Sequence, residues 1–402
     1  LRDNRDENMG FLSKTLLPDG TEIPGTNFDY NYLQHRKVDV VSSALDFILP
    51  FEKYKITAGA KVSFTNTRNG INYDTSDPTL VQDDYFRYKE QIYALYADYS
   101  REYSERFSMQ LGLRMEHTRT TGISEAKDTE DKHDYTRLFP TVYLLYSPTD
   151  GHALNFSFSN RISRPSQNMV NPFPFYQNKY TYACGREDLK PSYTYNAELG
   201  YTLKNNFNVS AYYSYSDDVF FQVVDLDAET NVTSFLWENF MKTHAFGLNN
   251  SYTFRTKWLQ AYAQHGVSYR RTTSSAVTTS PEEKGWAYDA SLRNTFFFNE
   301  KKTLLATLSG SYSSRQYQGI YLMSPTYSVS AGMLYRLLDN KLNLSLNVNN
   351  LFVSHSKLET MSNGLKIIAD NQFAFASFRI GVSYTFGGDI RSKGQRNSNE
   401  DI

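Results

Sequence analysis

Few side chains of this 402-residue chain have the spacing that catalysis or metal binding requires. The seven histidines, at positions 35, 117, 133, 152, 244, 265 and 355, lack the close or i,i+4 spacing of metal ligands. His117, Asp128 and His133 share one predicted loop, but a solvated charged loop explains them better than a catalytic group meeting at one rim. Cys184 is the single cysteine, which excludes an internal disulfide and any cysteine-based zinc or iron–sulfur site. The sequence therefore predicts no enzyme, no metal site and no cofactor.

Aromatic and cationic side chains crowd two predicted loops, where they are candidates for ligand binding. The candidates are Arg164, Phe175, Tyr176, Tyr180 and Tyr182 in one loop and Trp237 in the next. Aromatic faces stack on sugar rings or on aromatic ligand groups, and arginine pairs with anions. The competing interpretation is that the aromatics pack the loops together or lie in a membrane-interface girdle. We expect packing to explain most of them and some to contact ligand.

The elements that position these loops are predicted to be β-strands. Phe378, Ile380 and Val382 alternate with polar or small residues, and such alternation places successive side chains on opposite faces of a strand. The same period of two runs through residues 56–65, 107–116, 193–202 and 342–349. No stretch of about 18 apolar residues offers a transmembrane helix. The net charge of −1 argues against a nucleic-acid partner.

Strand length and charge placement favour a transmembrane barrel over a soluble β-sandwich. The alternating segments reach about ten residues, whereas strands of soluble proteins cluster near five or six. Aromatic residues end the apolar rows, as in the girdles of membrane barrels. Charged residues lie in mid-strand on the opposite face, and we expect them to face a polar lumen: Lys61, Arg114, Glu116, Glu198, Arg336 and Arg379. The alternative is a soluble β-rich binding or adhesion domain.

About fifteen strands are predicted, and the breaks between them alternate in length. The short breaks lie near 50–52, 102–105, 147–151, 204–206, 255–257, 299–301 and 338–340, and the long ones near 66–84, 117–134, 162–190, 217–243, 274–285, 314–326 and 353–373. Bacterial outer-membrane barrels have short periplasmic turns and long extracellular loops. The sequence therefore predicts an all-β, antiparallel up-and-down barrel in the bacterial outer membrane.

The turn assignment also predicts a domain organisation. The last strand ends in the periplasm, so the first strand, which begins near residue 28, descends from outside. Residues 1–27 are then an extracellular loop remnant, residues 28–388 the barrel domain and residues 389–402 a disordered periplasmic tail. An odd strand number and an open edge in lipid would be unusual. We therefore expect the chain to be the C-terminal part of a longer barrel.

Several ordered motifs resemble a known family. They are Arg161-Ile162-Ser163-Arg164-Pro165, Asn171-Pro172, Leu189-Lys190-Pro191 and Glu198-Leu199-Gly200-Tyr201, with support from Asn349-Asn350-Leu351-Phe352 and the closing Tyr384-Thr385-Phe386. Their order and spacing resemble the barrel of TonB-dependent outer-membrane receptors, in particular the outer-membrane β-barrel family of Bacteroidetes-type bacteria. The chain departs from that pattern at Gly185-Arg186-Glu187, where the family usually has Gly-Asn-Pro.

The resemblance implies a 22-stranded barrel whose N-terminal plug and first strands are absent from this chain. It implies import of a scarce nutrient (a siderophore, vitamin, glycan or peptide) with energy passed from the inner membrane by TonB. The implied partners are outer-membrane lipid, the protein's own plug, TonB through that plug and, as an open question, a surface lipoprotein. The alternative in the same membrane is a passive or structural barrel, such as a porin, without TonB coupling.

Overall fold

The computed structural model describes residues 2–24, 28–75, 83–354, 356–371 and 375–386. In chain order the described elements are β1 (Arg2–Ser13), β2 (Phe28–Pro50), β3 (Lys55–Thr75), β4 (Asp84–Ser104), β5 (Phe107–Ser124), β6 (Thr129–Tyr146), β7 (His152–Ser163), α1 (Gln167–Val170), β8 (Phe175–Asn178), β9 (Thr181–Cys184), β10 (Ser192–Leu203) and β11 (Phe207–Asp227). They continue with β12 (Val232–Arg255), β13 (Leu259–Ser274), β14 (Glu282–Phe297), β15 (Leu304–Ser313), β16 (Gln316–Gln318), β17 (Tyr321–Met323), β18 (Thr326–Leu337), β19 (Leu342–Val353), β20 (Ser356–Ser362), β21 (Leu365–Asn371) and β22 (Ser377–Tyr384).

The main sheet has 18 strands, and all of them except β8 and β9 form one antiparallel meander. Each of these sixteen strands pairs with the next one along the chain, from β1 to β22. This order confirms the antiparallel up-and-down topology predicted from the sequence. In the described ranges β1 and β22 do not pair with each other, so the described meander is an open sheet. No helix in these ranges is long and apolar enough to cross a membrane.

The two ends of the meander differ as the sequence predicts. All seven short breaks become tight turns at one end, for example between β2 and β3 and between β4 and β5. The seven long breaks lie at the other end. Much of their length is strand, because β3, β5 and β11 continue well beyond the predicted boundaries. The fifteen predicted strands are therefore present but longer at this end.

The N-terminal segment contains a strand that was not predicted from the sequence. Residues 2–13, which we expected to belong to a loop remnant, form β1 and pair with residues 28–39 of β2. The strand was missed because its first seven residues are polar or charged and it lacks a sustained apolar alternation. Its ladder is supported by charge pairs such as Arg2 with Asp39, at 2.6 Å. β1 pairs with the half of β2 that is remote from the short turns. The predicted tail, 389–402, lies outside the described residues.

The meander has one apolar and one polar face. Residues directly opposite each other in a ladder share a face, so the pairing of Lys61 with Ala94, and of Ala94 with Glu116, places these side chains together. The strand-to-strand pairs place all six predicted lumen residues on this face. The opposite face carries exposed apolar side chains such as Leu45 and Ile380, which are 59% and 80% exposed.

The polar face is concave. The loop between β7 and β10 contacts β2, through Tyr30, and its strand β9 pairs in parallel with β12. Eight ladder steps separate β2 from β12, which is roughly 38 Å along a flat sheet. The hairpin β8–β9 has strands of four residues each and is too short to bridge that distance. The sheet must therefore curve around this loop, which lies on the polar face.

A second, four-stranded sheet lies at the same end of the meander. Its order is β16-β17-β20-β21, and its strands come from the connections β15–β18 and β19–β22. Ile320 and Tyr321 pack against Val223 and Phe240 of the β11–β12 hairpin. The Tyr321 hydroxyl donates to the Gln222 carbonyl at 2.9 Å. Two inward-folded groups of loops thus cover the concave side at this end.

Candidate functional site

The candidate site is the mouth of the concave face, at the end of the meander remote from the short turns. There the upper halves of β2, β3 and β4, meaning the halves nearest this end, present aromatic side chains to the concave side. Tyr30, Tyr32, Ile71 and Phe86 are buried there and form one apolar cluster. Lower on the same strands, the apolar residues lie on the opposite, exposed face. A strand reverses its apolar face in this way when it leaves the lipid and begins to cover a protein interior. The clustered aromatics are the platform on which the mouth loop lies.

The mouth loop, residues 164–191, is fixed to this platform by packing and by two tyrosine hydroxyls. Val170 and Phe173 are 1% and 2% exposed and belong to the same cluster. The hydroxyls of Tyr30 and Tyr73 both donate to the carbonyl of Pro174, at 3.0 and 3.2 Å. Burial raises the pKa of both hydroxyls. They therefore remain neutral donors at physiological pH, and the loop is held over the concave face.

Gly185 closes the loop on itself. Its amide donates to the Asn171 carbonyl at 2.9 Å, and the next amide, of Arg186, donates to the Met169 carbonyl at 2.8 Å. A Cβ at Gly185 would lie 2.5 Å from the Met169 oxygen and closer still to that of Asn171. Only glycine allows so close a backbone approach. The family departure at positions 186 and 187 leaves this glycine contact in place.

Arg164 lies beneath the loop in a charged network, not at the open mouth. Its guanidinium donates to the Glu116 carboxylate and to the Thr118 hydroxyl, and its Nε lies 3.7 Å from the Glu90 carboxylate. Arg114 binds the other oxygen of Glu116 at 2.7 Å. The side chain of Glu116 is only 6% exposed. Two arginines therefore balance two carboxylates where the loop leaves the sheet.

The other predicted ligand residues have mixed surroundings. Phe175 packs edge-on against Tyr32 with the ring centroids 5.7 Å apart, and Tyr176 lies 5.3 Å from Tyr30. Tyr182 packs on Tyr176, at 5.2 Å. These contacts hold the loop together, in line with the packing interpretation, and ligand contact stays a prediction.

The remaining two candidates lie near the same part of β12, which pairs with β9. Trp237 on β12 contacts Phe220 and Phe221 at 6.3 and 6.2 Å. Tyr180 is 47% exposed at the tip of the β8–β9 hairpin and makes no ring contact with any described residue. Of the six candidates, Tyr180 is therefore the side chain most available to a ligand.

The sequence reasoning missed part of the site. It did not single out Glu90 or the platform residues Tyr30 and Tyr73. A signal was present, since Phe28, Tyr30 and Tyr32 alternate with polar residues as an aromatic row. Asn171 was not singled out as a site residue either. It is 1% exposed, and its side-chain NH2 group has no hydrogen-bond partner in the described structure.

The predicted loop group of His117, Asp128 and His133 is not joined by ion pairs in the described structure. His117 lies 3.5 Å from Asp134, and His133 lies 3.6 Å from Asp131, so neither histidine is joined to Asp128. No three His, Cys, Asp or Glu side chains in the described ranges could hold a metal ion together. What the site offers is a polar concave wall with an aromatic, partly charged mouth, which suits binding.

An antiparallel meander with an exposed apolar face and a polar concave face defines a transmembrane β-barrel protein. The chain belongs to the outer membrane protein beta-barrel family, whose family model matches residues 1–384. The protein is therefore located in the bacterial outer membrane, and its exposed apolar face is the lipid side. No curated protein matches the sequence.

Solved receptor structures share the fold. The copper transporter OprC superposes with a TM-score of 0.62 at 12% identity, covering 95% of this chain and 65% of that one. The ferric citrate transporter FecA in its unliganded form gives 0.60 at 13%, covering 96% and 62%. The ferric yersiniabactin uptake receptor FyuA from Yersinia pestis gives 0.59 at 15%, covering 88% and 54%. The chain thus spans about half to two thirds of these proteins. The resemblance to TonB-dependent receptor barrels is confirmed for the fold.

Proposed function

We propose that this chain is the barrel portion of a TonB-dependent receptor that imports a scarce nutrient across the outer membrane. The observation that carries the proposal is the inward-folded mouth loop. It crosses the concave face from β2 to β12 and is anchored at both ends. A passive pore works by leaving its lumen open, whereas a receptor needs a structured mouth that binds before it transports.

In this proposal the polar concave face holds a plug. Lys61, Arg114, Glu198, Arg336 and Arg379 lie along it, from β3 to β22. Charged side chains in a barrel wall are costly on the lipid side and acceptable on a hydrated lumen side. They supply hydrogen bonds and charge pairs to a polar plug surface, which TonB then moves to open the path.

The ligand site is proposed at the mouth, around Tyr180 and Trp237. An exposed tyrosine and a tryptophan at a loop surface are suited to stacking on rings and on the apolar surface of a chelate. The similar structures include a copper transporter, a ferric citrate transporter and a ferric yersiniabactin receptor. Metal complexes are therefore the first ligands to test within the wider class of siderophores, vitamins, glycans and peptides.

The first experiment tests coupling without knowledge of the ligand. The full-length protein, purified from outer membranes in detergent, is mixed with the isolated periplasmic domain of TonB from the same cell. We expect specific capture of the receptor, competed by an excess of untagged TonB domain. A failure to bind would overturn the TonB-coupled reading and leave the passive or structural barrel. Single-channel recording would then show a stable open conductance.

The second experiment tests the ligand site. Cells expressing the full-length protein are given radioactive iron as ferric citrate or as another ferric chelate. A radioactively labelled glycan and a radioactively labelled peptide serve as control ligands. Uptake should require both the receptor and TonB. Tyr180→Ser should weaken uptake several-fold at low ligand concentration. Tyr327→Ser, at a 50% exposed tyrosine of the lipid-facing row, is the matched control and should have no effect. Equal effects of the two changes would refute the assignment of the mouth.

A further inference from the structure

The lipid-facing side of β2, β3 and β4 carries a row of cations above the apolar belt. Lys37 lies directly opposite Arg68, and Arg68 lies directly opposite Arg87. Lys89 follows on the same face, two residues after Arg87. We call these four residues the outward basic patch. Like charges directly opposite each other destabilise a sheet, so a row of three cations calls for an anion.

The protein supplies little of the compensating charge. Asp39 accepts from Arg68 at 3.0 Å, but Arg2 also binds the same carboxylate, at 2.6 Å. Among the described residues, the other three cations of the patch have no carboxylate within 4.0 Å. The Nε of Arg68 is buried and has no hydrogen-bond partner there. The patch therefore keeps an unbalanced positive charge.

The neighbouring strands show that this is not general on the lipid-facing side. On β5 and β6 the corresponding cations are neutralised by the protein itself. Arg119 binds Asp134 at 2.8 Å, and Lys132 binds Glu130 at 2.8 Å. The unbalanced charge is thus a local property of β2 to β4.

The patch lies just outside the lipid headgroup layer. Phe64 and Tyr93, whose rings are 5.8 Å apart, end the apolar belt on β3 and β4. Arg68 lies four residues beyond Phe64, and Lys89 lies four residues beyond Tyr93 in the same direction. Four residues extend about 13 Å along a strand, or about 10 Å in height at the usual tilt of a barrel strand. The headgroup layer begins at the belt's edge and extends roughly 5–8 Å from it, so Arg68 and Lys89 lie just beyond it, within a side chain's length of the headgroups.

We propose that the outward basic patch binds the phosphate groups of an anionic outer-leaflet lipid, namely a phosphorylated glycolipid. An arginine guanidinium can donate two parallel hydrogen bonds to two oxygens of one phosphate, and a lysine adds a positive charge nearby. Lys37 and Arg68 line an open groove of about 880 Å³. The groove's far side, remote from the belt, carries the carboxylates of Asp6, Asp83, Asp84 and Glu125. These carboxylates repel the anion from the water side and confine it to the membrane side.

Native mass spectrometry of the full-length protein in detergent tests this proposal. The probes are bisphosphorylated lipid A and the same lipid with both phosphates removed. We expect the phosphorylated form to bind specifically, and Lys37→Gln/Arg87→Gln to weaken it by roughly tenfold or more. This variant keeps the Arg68–Asp39 pair. Arg119→Gln/Lys132→Gln removes the same formal charge from β5 and β6 and should leave binding unchanged.

Three results would overturn the proposal. They are equal binding of the two lipids, equal losses in the two double variants, and complete displacement of the lipid by millimolar inorganic phosphate, which would indicate a free-phosphate site. A salt titration of the unmodified protein needs no variant. Binding that does not weaken as salt rises would contradict a charge-based site. None of these readouts depends on nutrient import, so the proposed function stands or fails separately.

Discussion

Replacing Arg164 by methionine tests whether the charged network beneath the mouth loop stabilises the barrel. Methionine keeps most of the side-chain length and removes the guanidinium. The change takes away the donors to Glu116 and Thr118 and the charge facing Glu90. Because the network joins the segment after β7 to β4 and β5, its loss should loosen the loop as well as lower stability.

The size of the effect follows from what the two carboxylates retain. Glu116 keeps Arg114 at 2.7 Å, so it does not become an isolated charge. Glu90, with a side chain only 18% exposed, loses its partner. Removing one member of a buried pair costs 3–5 kcal/mol when the other is left alone. With one carboxylate still paired, we expect Arg164→Met to lower the free energy of unfolding by about 2–3 kcal/mol.

A second substitution tests whether the unpaired Glu90 charge causes the loss of stability. Adding Glu90→Gln to Arg164→Met removes the unpaired carboxylate and should recover roughly 1 kcal/mol. Arg161→Met is the matched control, since Arg161 is exposed and nearby and forms no ion pair with a described residue. It should change stability by less than about 0.5 kcal/mol.

The measurement is reversible urea unfolding of the full-length protein in lipid vesicles, followed by tryptophan fluorescence. Limited proteolysis of the mouth loop gives a second readout. The reasoning fails if Arg164→Met unfolds within about 0.5 kcal/mol of the unmodified protein. It also fails if the double variant is less stable than the single one, since an unpaired Glu90 charge would then not be the cause.

Three further predictions concern the loop and the wall. Gly185→Ala forces a Cβ against the Asn171 carbonyl and should cost about 1–3 kcal/mol, seen as faster proteolysis of the mouth loop; an unchanged cleavage rate would contradict the contact. Burial raises the pKa of the Cys184 thiol, so a maleimide should label it slowly in the folded protein at neutral pH and rapidly in urea; rapid labelling of the folded form would show the loop to be open. Val382→Arg, on the lipid side, should destabilise the barrel by about 2–4 kcal/mol and by more than Arg379→Leu does, and the reverse order in urea unfolding would invert our assignment of the two faces.

Much of the wall could be predicted from the sequence because lipid imposes a strict local rule. A strand with hydrocarbon on one side and water on the other must alternate apolar and polar residues, and no distant contact can substitute for that pattern. Leu111, Leu113 and Met115 on β5 are therefore readable without any knowledge of their neighbours. The short turns were readable for the same reason, since each interrupts one such row.

The rule no longer applies where the strands leave the lipid. β1 is mostly polar and has no sustained apolar row, and its existence depends on pairing with β2, so its sequence resembles that of a loop. On β2 the apolar face is reversed between Val41 and Tyr32, which marks the exit from the membrane. That reversal is visible in the sequence once its meaning is known. The sequence does not show which residues the upper half of β2 packs against.

The chain by itself determined the topology, the two faces and the charged row, since each depends on the local environment of a single strand. Only the tertiary structure decided that the Pro174 carbonyl lies between two tyrosines of β2 and β3. It also decided that Arg164 pairs with Glu116 and Glu90 of the wall, and that Tyr180 is left exposed. These contacts join segments far apart in the chain and depend on how the sheet curves. Curvature is a property of all sixteen strands together, and no short stretch of sequence specifies it.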